Sequence, residues 1–273
     1  MAASGSGELK FKRPSSEPYN LKNPTALSWS QPHPRTAICS DLCVLDLFKE
    51  LKQGDPFFFV ESGAYDGEQY STTLALEKYG GWNGLLVEPN PYLYKAILGL
   101  NRKCFKIRAG LSTTGSAGSF PFVLGGPLGG FNHTLTDNHR KRLYKEVSAK
   151  ESWMNGAHGS GKVINVPTYP LDMILSAIGK TDMVVDFWSL DTEGSEFSIL
   201  SVVDWSKVTV GMMFIEHNDP ESKQKILNVM ANSGLLVVDS ETSQDLEFYN
   251  PKYFADRGMP NPKERILALR RKG

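Results

Sequence analysis

Four apolar runs of the sequence are each followed directly by polar residues that could bind a ligand or move a proton. These polar positions are the turn at residues 61–67, Glu88, the segment 191–196, and the pair Glu216 and His217. In an α/β protein, the carboxyl ends of parallel strands meet at one edge of the sheet, and ligands bind outside that edge. The sequence therefore predicts that these four positions form one site.

The first two positions have the character of a nucleoside site. Gly63 and Gly67 allow a tight turn and a close approach of the backbone to a ligand, although turn geometry alone would also explain them. Glu88 ends the next strand, where a carboxylate can accept from both hydroxyls of a ribose; the alternative is a helix N-cap partner. A nicotinamide fingerprint needs G-x-G-x-x-G, so the G-x-x-x-G spacing argues against a dehydrogenase.

The last two positions supply carboxylates and an imidazole. Asp191 and Glu193 are expected to face a ligand or a substrate hydroxyl, whereas Glu196 is equally explained by a favourable interaction with the helix dipole. The candidate general bases are Asp191, Glu216 and His217. A structural role is the alternative for Glu216 and His217.

A metal site at the same strand ends is an alternative. Asp191, Glu216 and Asn218 offer the all-oxygen ligands that magnesium prefers. Magnesium also requires near-octahedral geometry, so these residue types alone do not predict a metal site.

The elements that must position these residues follow from hydrophobic periodicity. Strands are predicted at residues 56–60, 84–88, 104–111, 184–190, 210–216 and 235–239, with a last antiparallel edge strand at 264–270. Helices are predicted at residues 37–52, 69–79, 91–100, 194–202 and 220–232. Buried strands that alternate with helices are typical of an α/β fold with a doubly wound, mostly parallel sheet and helices on both faces.

The chain is expected to form a single domain over residues 36–273. Residues 1–35 are rich in Ser, Pro, Gly and Lys and predict a mostly disordered arm. Residues 112–168 break the strand and helix rhythm, and we interpret them as a lid-like insertion. Its histidines lack mutual ligand spacing and are expected on the surface, and its basic run 139–145 predicts a solvated helix face or a contact for an acidic substrate.

Composition excludes several classes of protein. The 273 residues contain 30 basic and 30 acidic side chains, so no chain-wide positive field indicates nucleic-acid binding. No segment is apolar enough to span a membrane, and the N-terminus lacks the apolar core of a secretory signal, so a cytoplasmic protein is expected. The sequence does not indicate an oligomeric state.

Four segments together resemble the FkbM-type methyltransferase family. They are FVESGAYDG, LLVEPNP, VPTYPLDMIL and WSLDTEGSEFSIL. The resemblance extends over about residues 57–240. It implies a class I, Rossmann-like fold, S-adenosylmethionine as methyl donor, and O-methylation of a small-molecule or sugar hydroxyl.

The resemblance also implies roles for individual residues. Those implied to bind the donor are Glu61, Gly63, Ala64 and Gly67 for its methionine part, Glu88 for the ribose, Leu111 and Ser112 for the adenine, and Asp191 and Glu193 on the side of the acceptor. Two positions depart from the family pattern: Glu61 stands where Asp is common, and Tyr65 where a small polar residue is usual. A bulky Tyr65 would crowd the donor, so a non-catalytic adaptor in protein interaction or trafficking is the second hypothesis.

Overall fold

The computed structural model describes residues 9–24, 41–52, 54–151, 154, 156–238 and 245–270. The strands in this part of the chain are β1 Phe11–Lys12, β2 Phe58–Ser62, β3 Asn83–Val87, β4 Phe105–Ile107, β5 Gly110–Leu111, β6 Gly118–Val123, β7 Gly130–Phe131, β8 Val163–Tyr169, β9 Val184–Leu190, β10 Thr209–Glu216, β11 Leu236–Val237 and β12 Asp245–Tyr249. The α-helices are α1 Asp41–Lys49, α2 Leu74–Gly80, α3 Pro91–Gly99, α4 Asp137–Ala149, α5 Leu171–Ala177, α6 Glu196–Leu200, α7 Pro220–Met230, α8 Pro251–Asp256 and α9 Pro262–Arg270.

The main sheet has eight strands in the order β1-β4-β3-β2-β9-β10-β12-β11. The five central strands, β4, β3, β2, β9 and β10, are parallel to one another. In contrast, β1 is antiparallel to β4, and β12 is antiparallel to both β10 and β11. The α/β class is confirmed, but the sheet is mixed, so the expectation of a mostly parallel doubly wound sheet is not confirmed.

Alternation along β2 divides the core between the two faces of the main sheet. Phe58 and Val60 pack with residues of α5, α6 and α7, whereas Phe59 packs with residues of α1, α2, α8 and α9. Because successive side chains of a strand point to opposite faces, a strand that is buried along its whole length needs cover on both sides. The packing of both faces fixes β2, and therefore the turn that follows it.

The predicted strand at 264–270 is wrong, because these residues form part of helix α9. Ile266 and Leu269 are both buried at a spacing of three residues, which places them on one face of a helix. Pro262 begins the helix at a position where its missing N–H is not needed. The antiparallel strand is instead β12, a segment for which no strand was predicted.

The predicted strand 104–111 is two strands in two different sheets. Its first part is β4 in the main sheet, and its second part is β5, which pairs in parallel with β8 in a four-stranded sheet of order β5-β8-β6-β7. Strands β6 to β8 and helix α4 all belong to the interval 112–168 or overlap its end. The insertion is therefore a folded unit with its own sheet.

Part of the N-terminal arm packs on the domain. Strand β1 extends the edge of the main sheet, and Lys22 and Asn23 contact the turn that follows β2. Residues 1–8 and 25–40 lie outside the described part of the chain, as does the start of the predicted helix 37–52. Within the described residues, no helix combines the length and the apolar character that a membrane crossing requires.

Candidate functional site

The predicted site residues meet where the strand order reverses. From β2 the chain proceeds outward to β3 and β4, and it later returns to β9 on the other side of β2. The ends of β2 and β9 touch: the N–H of Asp191 donates to the carbonyl of Ser62 at 3.0 Å. Such a reversal opens a crevice at the carboxyl ends of the two central strands.

Gly63 makes the close approach of these two strand ends possible. Its φ is +86°, and a Cβ there would lie 1.6 Å from the carbonyl oxygen of Asp191. The N–H groups of Gly63 and Ala64 both donate to the carbonyl of Val87 on β3. Gly67, with φ +79°, ends the same turn, and its N–H donates to the carbonyl of Ala64. Both predicted glycines therefore have a conformational reason in this turn.

Glu88 is tied to this turn by its side chain. One carboxylate oxygen accepts from the N–H of Tyr65 at 2.9 Å, and the other accepts from the N–H of Asn90 at 2.7 Å. The residue is only 4% exposed. Burial raises the pKa of Glu88 to about 8, against the lowering effect of the two hydrogen bonds. Glu88 thus lies in a fixed orientation beside the turn; its bond to Asn90 agrees with the alternative of a helix N-cap partner, and ribose binding by Glu88 stays a prediction.

Glu61 has a different environment from the one that its predicted role suggests. Its carboxylate accepts from the hydroxyls of Ser71 and Thr73 and from the N–H of Thr72. Burial raises the pKa of Glu61, while the nearby Arg102 and these hydrogen bonds lower it. The carboxylate therefore organises the loop before α2, and donor binding by Glu61 stays a prediction.

The junction after β9 is held by Glu196. Its carboxylate accepts from the N–H of Thr192 at 2.7 Å and from the N–H of Gly194 at 3.0 Å. This agrees with the structural alternative for Glu196 at the start of a helix. Glu193 has φ +55°, a conformation that non-glycine residues rarely adopt, and Gly194 follows with φ +102°. The turn directs the side chain of Glu193 toward those of Asp191 and Glu216.

Asp191, Glu193 and Glu216 form an acid cluster. Each offers a carboxylate oxygen, and the three atoms lie within 4.8 Å of one another. Asp191 is exposed to solvent on one side, and desolvation by the surrounding protein, followed by the charges of Glu196, Asp245 and Glu61, raises its pKa to about 7. Desolvation, and then repulsion by Asp191, raises the pKa values of Glu193 and Glu216 well above their usual range.

The insertion contacts the site at two places, at the end of β9 and at the end of β3. On one side, the hydroxyls of Thr134 and Ser195 are 2.8 Å apart, and Nδ1 of His139 is 3.6 Å from a carboxylate oxygen of Glu193. On the other side, the Asn90 side chain donates to the carbonyl of His158 at 3.0 Å. The interval 112–168 thus bridges the ends of β3 and β9, which is the position expected of a lid.

His139 is a site residue that the sequence reasoning missed. It was expected on the surface, but it is 8% exposed and its Nε2 lies 2.9 Å from the carbonyl oxygen of Leu128. Burial lowers the pKa of His139. The available signal was Leu143, four residues further along α4 and therefore on the same helix face, which is fully buried. His133, the histidine expected nearest the site, is exposed beside Thr113.

Three predicted residues lie apart from the acid cluster. Leu111 and Ser112 line a separate shallow cleft together with residues of α5 and of the segment 199–208. The hydroxyl of Ser112 donates to the carbonyl of Ser116, which stabilises the local turn. His217 follows Glu216 in the sequence and is half-buried, but it is not a member of the acid cluster. Roles for these residues in adenine binding and base catalysis stay predictions.

Comparison with known proteins supports the resemblance stated for the sequence. The Methyltransferase FkbM domain family matches residues 61–249, which include the turn after β2, Glu88 and the whole acid cluster. A comparison with curated proteins gave no match. The family match covers more than half of the chain and begins at the first predicted site residue, Glu61. The chain therefore belongs to the FkbM methyltransferase family.

Proposed function

We propose that this protein transfers a methyl group from S-adenosylmethionine to a hydroxyl of a small molecule or sugar, on a Rossmann-like class I methyltransferase fold. The observation that carries the proposal is the buried Glu88 carboxylate, bonded to the N–H of Tyr65 in the turn at the strand reversal. A carboxylate next to a glycine turn at this position is the arrangement that binds the ribose of a nucleoside ligand.

Glu88 can bind a ribose without rearranging. Each of its carboxylate oxygens accepts one backbone N–H, which fixes the side chain and leaves further lone pairs for ligand hydroxyls. Bonds to two hydroxyls would favour the charged form and oppose the effect of burial on its pKa. The turn from Gly63 to Gly67 would lie beside the methionine part of the donor, as the family resemblance implies.

Asp191 is the general base that the geometry favours. Its pKa is about 7 and its side chain is exposed to solvent. Asp191 is therefore partly ionised near neutral pH, where a general base is most effective. It would take the proton of the acceptor hydroxyl while the oxygen attacks the methyl carbon. The carbon–sulfur bond breaks, and the sulfonium becomes a neutral thioether. Positioning of the two reactants supplies most of the remaining acceleration.

Isothermal titration with S-adenosylmethionine and, separately, with NAD⁺ tests the proposal. We expect dissociation constants near micromolar for S-adenosylmethionine, no heat with NAD⁺, and loss of donor binding in Glu88→Ala. The matched control is Glu264→Ala, which removes an exposed carboxylate on α9. Donor binding by folded Glu88→Ala at the affinity of the unchanged protein would contradict the proposed role of Glu88.

A non-catalytic adaptor is the second candidate, and Glu61 and Tyr65 favour it. The Glu61 carboxylate already accepts three hydrogen bonds from its own loop. Tyr65 has φ +50° and places its ring 5.8 Å from that of Tyr70, so a bulky side chain stands in the donor turn. Absence of heat with both ligands, from protein shown to be folded, would support the adaptor and contradict methyl transfer.

A further inference from the structure

We propose that the acid cluster binds a hard divalent cation, magnesium or manganese, through one carboxylate oxygen each from Asp191, Glu193 and Glu216. The use of this cation in catalysis rests on the proposed methyl transfer, whereas its binding can be measured on the protein alone. Hard cations of this kind take oxygen ligands, and carboxylates are their usual protein partners.

The distances suit a single ion. The three carboxylate oxygens lie within 4.8 Å of one another. Oxygens bound to one magnesium ion at about 2.1 Å are about 3 to 4 Å apart in octahedral geometry, so small side-chain rotations bring all three into contact. The sequence had suggested Asn218 as the third oxygen ligand, but Glu193 occupies that place and Asn218 is exposed.

Glu216 provides independent evidence for a ligand. One of its carboxylate oxygens lies within 4.8 Å of an oxygen of Asp191 and an oxygen of Glu193, so the side chain points into the cluster. Nevertheless, its Oε2 atom is fully buried and, among the described residues, has no hydrogen-bond partner. A buried carboxylate oxygen without a partner is unfavourable. A cation between the three carboxylates would supply the missing interaction.

The charge balance of the acid cluster also favours a bound cation. Three acidic side chains converge, and within the described ranges no lysine or arginine forms an ion pair with any of them. The basic group found next to the cluster is the imidazole of His139, whose Nδ1 lies 3.6 Å from a carboxylate oxygen of Glu193. By comparison, the buried Glu77 has Arg102 at 2.9 Å. Converging carboxylates without such a partner favour the binding of a cation.

The ligands are held in place by the fold. Leu190 and Ile215 are paired in the register of β9 and β10, so Asp191 and Glu216 follow them side by side at the ends of adjacent strands. Glu193 is fixed by the turn that Glu196 stabilises through the N–H groups of Thr192 and Gly194. Two ligands on strand ends and one on a braced turn give the rigidity that magnesium requires.

The cation also indicates a class of acceptor. Three protein oxygens leave about three positions of an octahedral ion for other ligands. An acceptor with two adjacent oxygens, such as a vicinal diol or a hydroxy acid, could occupy two of them. Coordination would lower the pKa of the bound hydroxyl, which loses its proton to solvent and then attacks the methyl group; in this form of the mechanism Asp191 is a ligand of the ion and does not act as the general base. We therefore infer that the acceptor chelates the ion.

Manganese titration of the full chain, followed by electron paramagnetic resonance, tests the site without any donor. The signal of free Mn²⁺ disappears on binding, and we expect about one ion per chain with competition by Mg²⁺. Glu216→Gln and Asp191→Asn should each weaken binding at least about tenfold, which is about 1.4 kcal/mol. Glu221→Gln is the matched control, because Glu221 is an exposed carboxylate paired with Lys225.

Two results would overturn the cation site. One is a free Mn²⁺ signal that the folded, unchanged protein does not reduce; the other is equal binding by folded Glu216→Gln. Titration of S-adenosylmethionine in the presence of EDTA separates this inference from the proposed function. Donor binding without Mn²⁺ binding contradicts the cation site alone, whereas Mn²⁺ binding without donor binding supports the site and contradicts methyl transfer.

Discussion

Glu88 combines burial with hydrogen bonds that favour its charge. The residue is 4% exposed, and its two oxygens accept from the N–H groups of Tyr65 and Asn90. Burial is the stronger influence, since the pKa is raised to about 8. Near neutral pH the free protein therefore holds a proton on Glu88, and a ligand with two hydroxyl donors would displace it.

This proton makes the stability of the protein depend on pH. Between about pH 4.5 and 8, the folded state binds more protons at Glu88 than the unfolded state, so the free energy of unfolding falls as pH rises. The slope from one such group reaches about 1.4 kcal/mol per pH unit. We expect the free energy of unfolding of Glu88→Gln, relative to the unchanged protein, to increase from pH 5 to pH 8. Urea unfolding at intervals of pH measures it.

Other acids with raised pKa values, such as Asp191 and Asp245, contribute equally to both proteins and cancel in this difference. Glutamine also loses one acceptor for the two N–H groups, which lowers stability by a constant amount at every pH. The informative quantity is therefore the change of the difference with pH. A difference that stays constant from pH 5 to pH 8 would mean that Glu88 is ionised in the folded protein.

At the scale of the element, the junction of β2 and β9 depends on Gly63. An alanine there would have its Cβ 1.6 Å from the carbonyl oxygen of Asp191, in addition to the strain of φ +86°. We expect Gly63→Ala to lose about 3 kcal/mol or more of the free energy of unfolding. Chemical denaturation followed by circular dichroism provides the measurement.

Gly81 is the matched control for this substitution. It has φ +66° at the end of α2, and a Cβ there would meet nothing within 4 Å. Gly81→Ala therefore carries the conformational strain without the steric clash, and we expect a loss of about 1 kcal/mol. Equal losses at the two positions would show that the strand ends can separate without cost.

The elements that the sequence predicted best are buried strands in the centre of the main sheet. Strand β9 matches its predicted range 184–190, and β10 differs from 210–216 by one residue. Strand β10 has a continuous apolar run between polar ends, and β9 is buried along nearly its whole length although it contains Asp186 and Ser189, which is the pattern of a strand covered on both faces. The turn after β2 and the acids at the strand ends followed from these strands and the topology rule.

The elements that were missed depend on contacts that periodicity does not encode. The interruption between β4 and β5 separates two sheets within one apolar run. Residues 264–270 have apolar positions that fit either period, and packing on α1 and α8 decided for a helix. Within the site, the convergence of Glu193 with Glu216 needed a left-handed backbone at Glu193, which is rare for glutamate. His139 entered the site through the tertiary position of α4.

At the scale of the whole molecule, the N-terminal arm is attached to the proposed donor loop. The N–H groups of Lys22 and Asn23 donate to Glu68, and the Lys22 ammonium group lies 3.1 Å from Asp66. Glu68 is buried, so these contacts are shielded from solvent on one side. The loop is therefore held from outside by the arm and from inside by Glu61.

We expect Glu68→Ala to loosen both partners. Removing the carboxylate leaves two backbone N–H groups of the arm without this acceptor, so amide hydrogen exchange should become about tenfold faster in residues 20–24 and in the loop at 63–71. Mass spectrometry of peptic fragments measures both segments. Glu17→Ala, which changes an exposed carboxylate on the same arm, should leave both rates unchanged. Unaltered exchange in Glu68→Ala would show that other contacts of the arm, such as those of Asn20 with Gly99 and Leu100, are enough to hold it.

The pairing of β5 with β8 has a consequence for how this enzyme family can diversify. Gly110 and Leu111 are in register with Thr168 and Tyr169, so the chain leaves the main body and returns to it at neighbouring points, about 5 Å apart. The segment 112–168 between these points can be shortened, lengthened or exchanged, because that pair of strands fixes the spacing of its two ends. Since this segment contacts Glu193 and Asn90, its exchange offers a route to new acceptor specificity while Asp191, the proposed general base, stays unchanged.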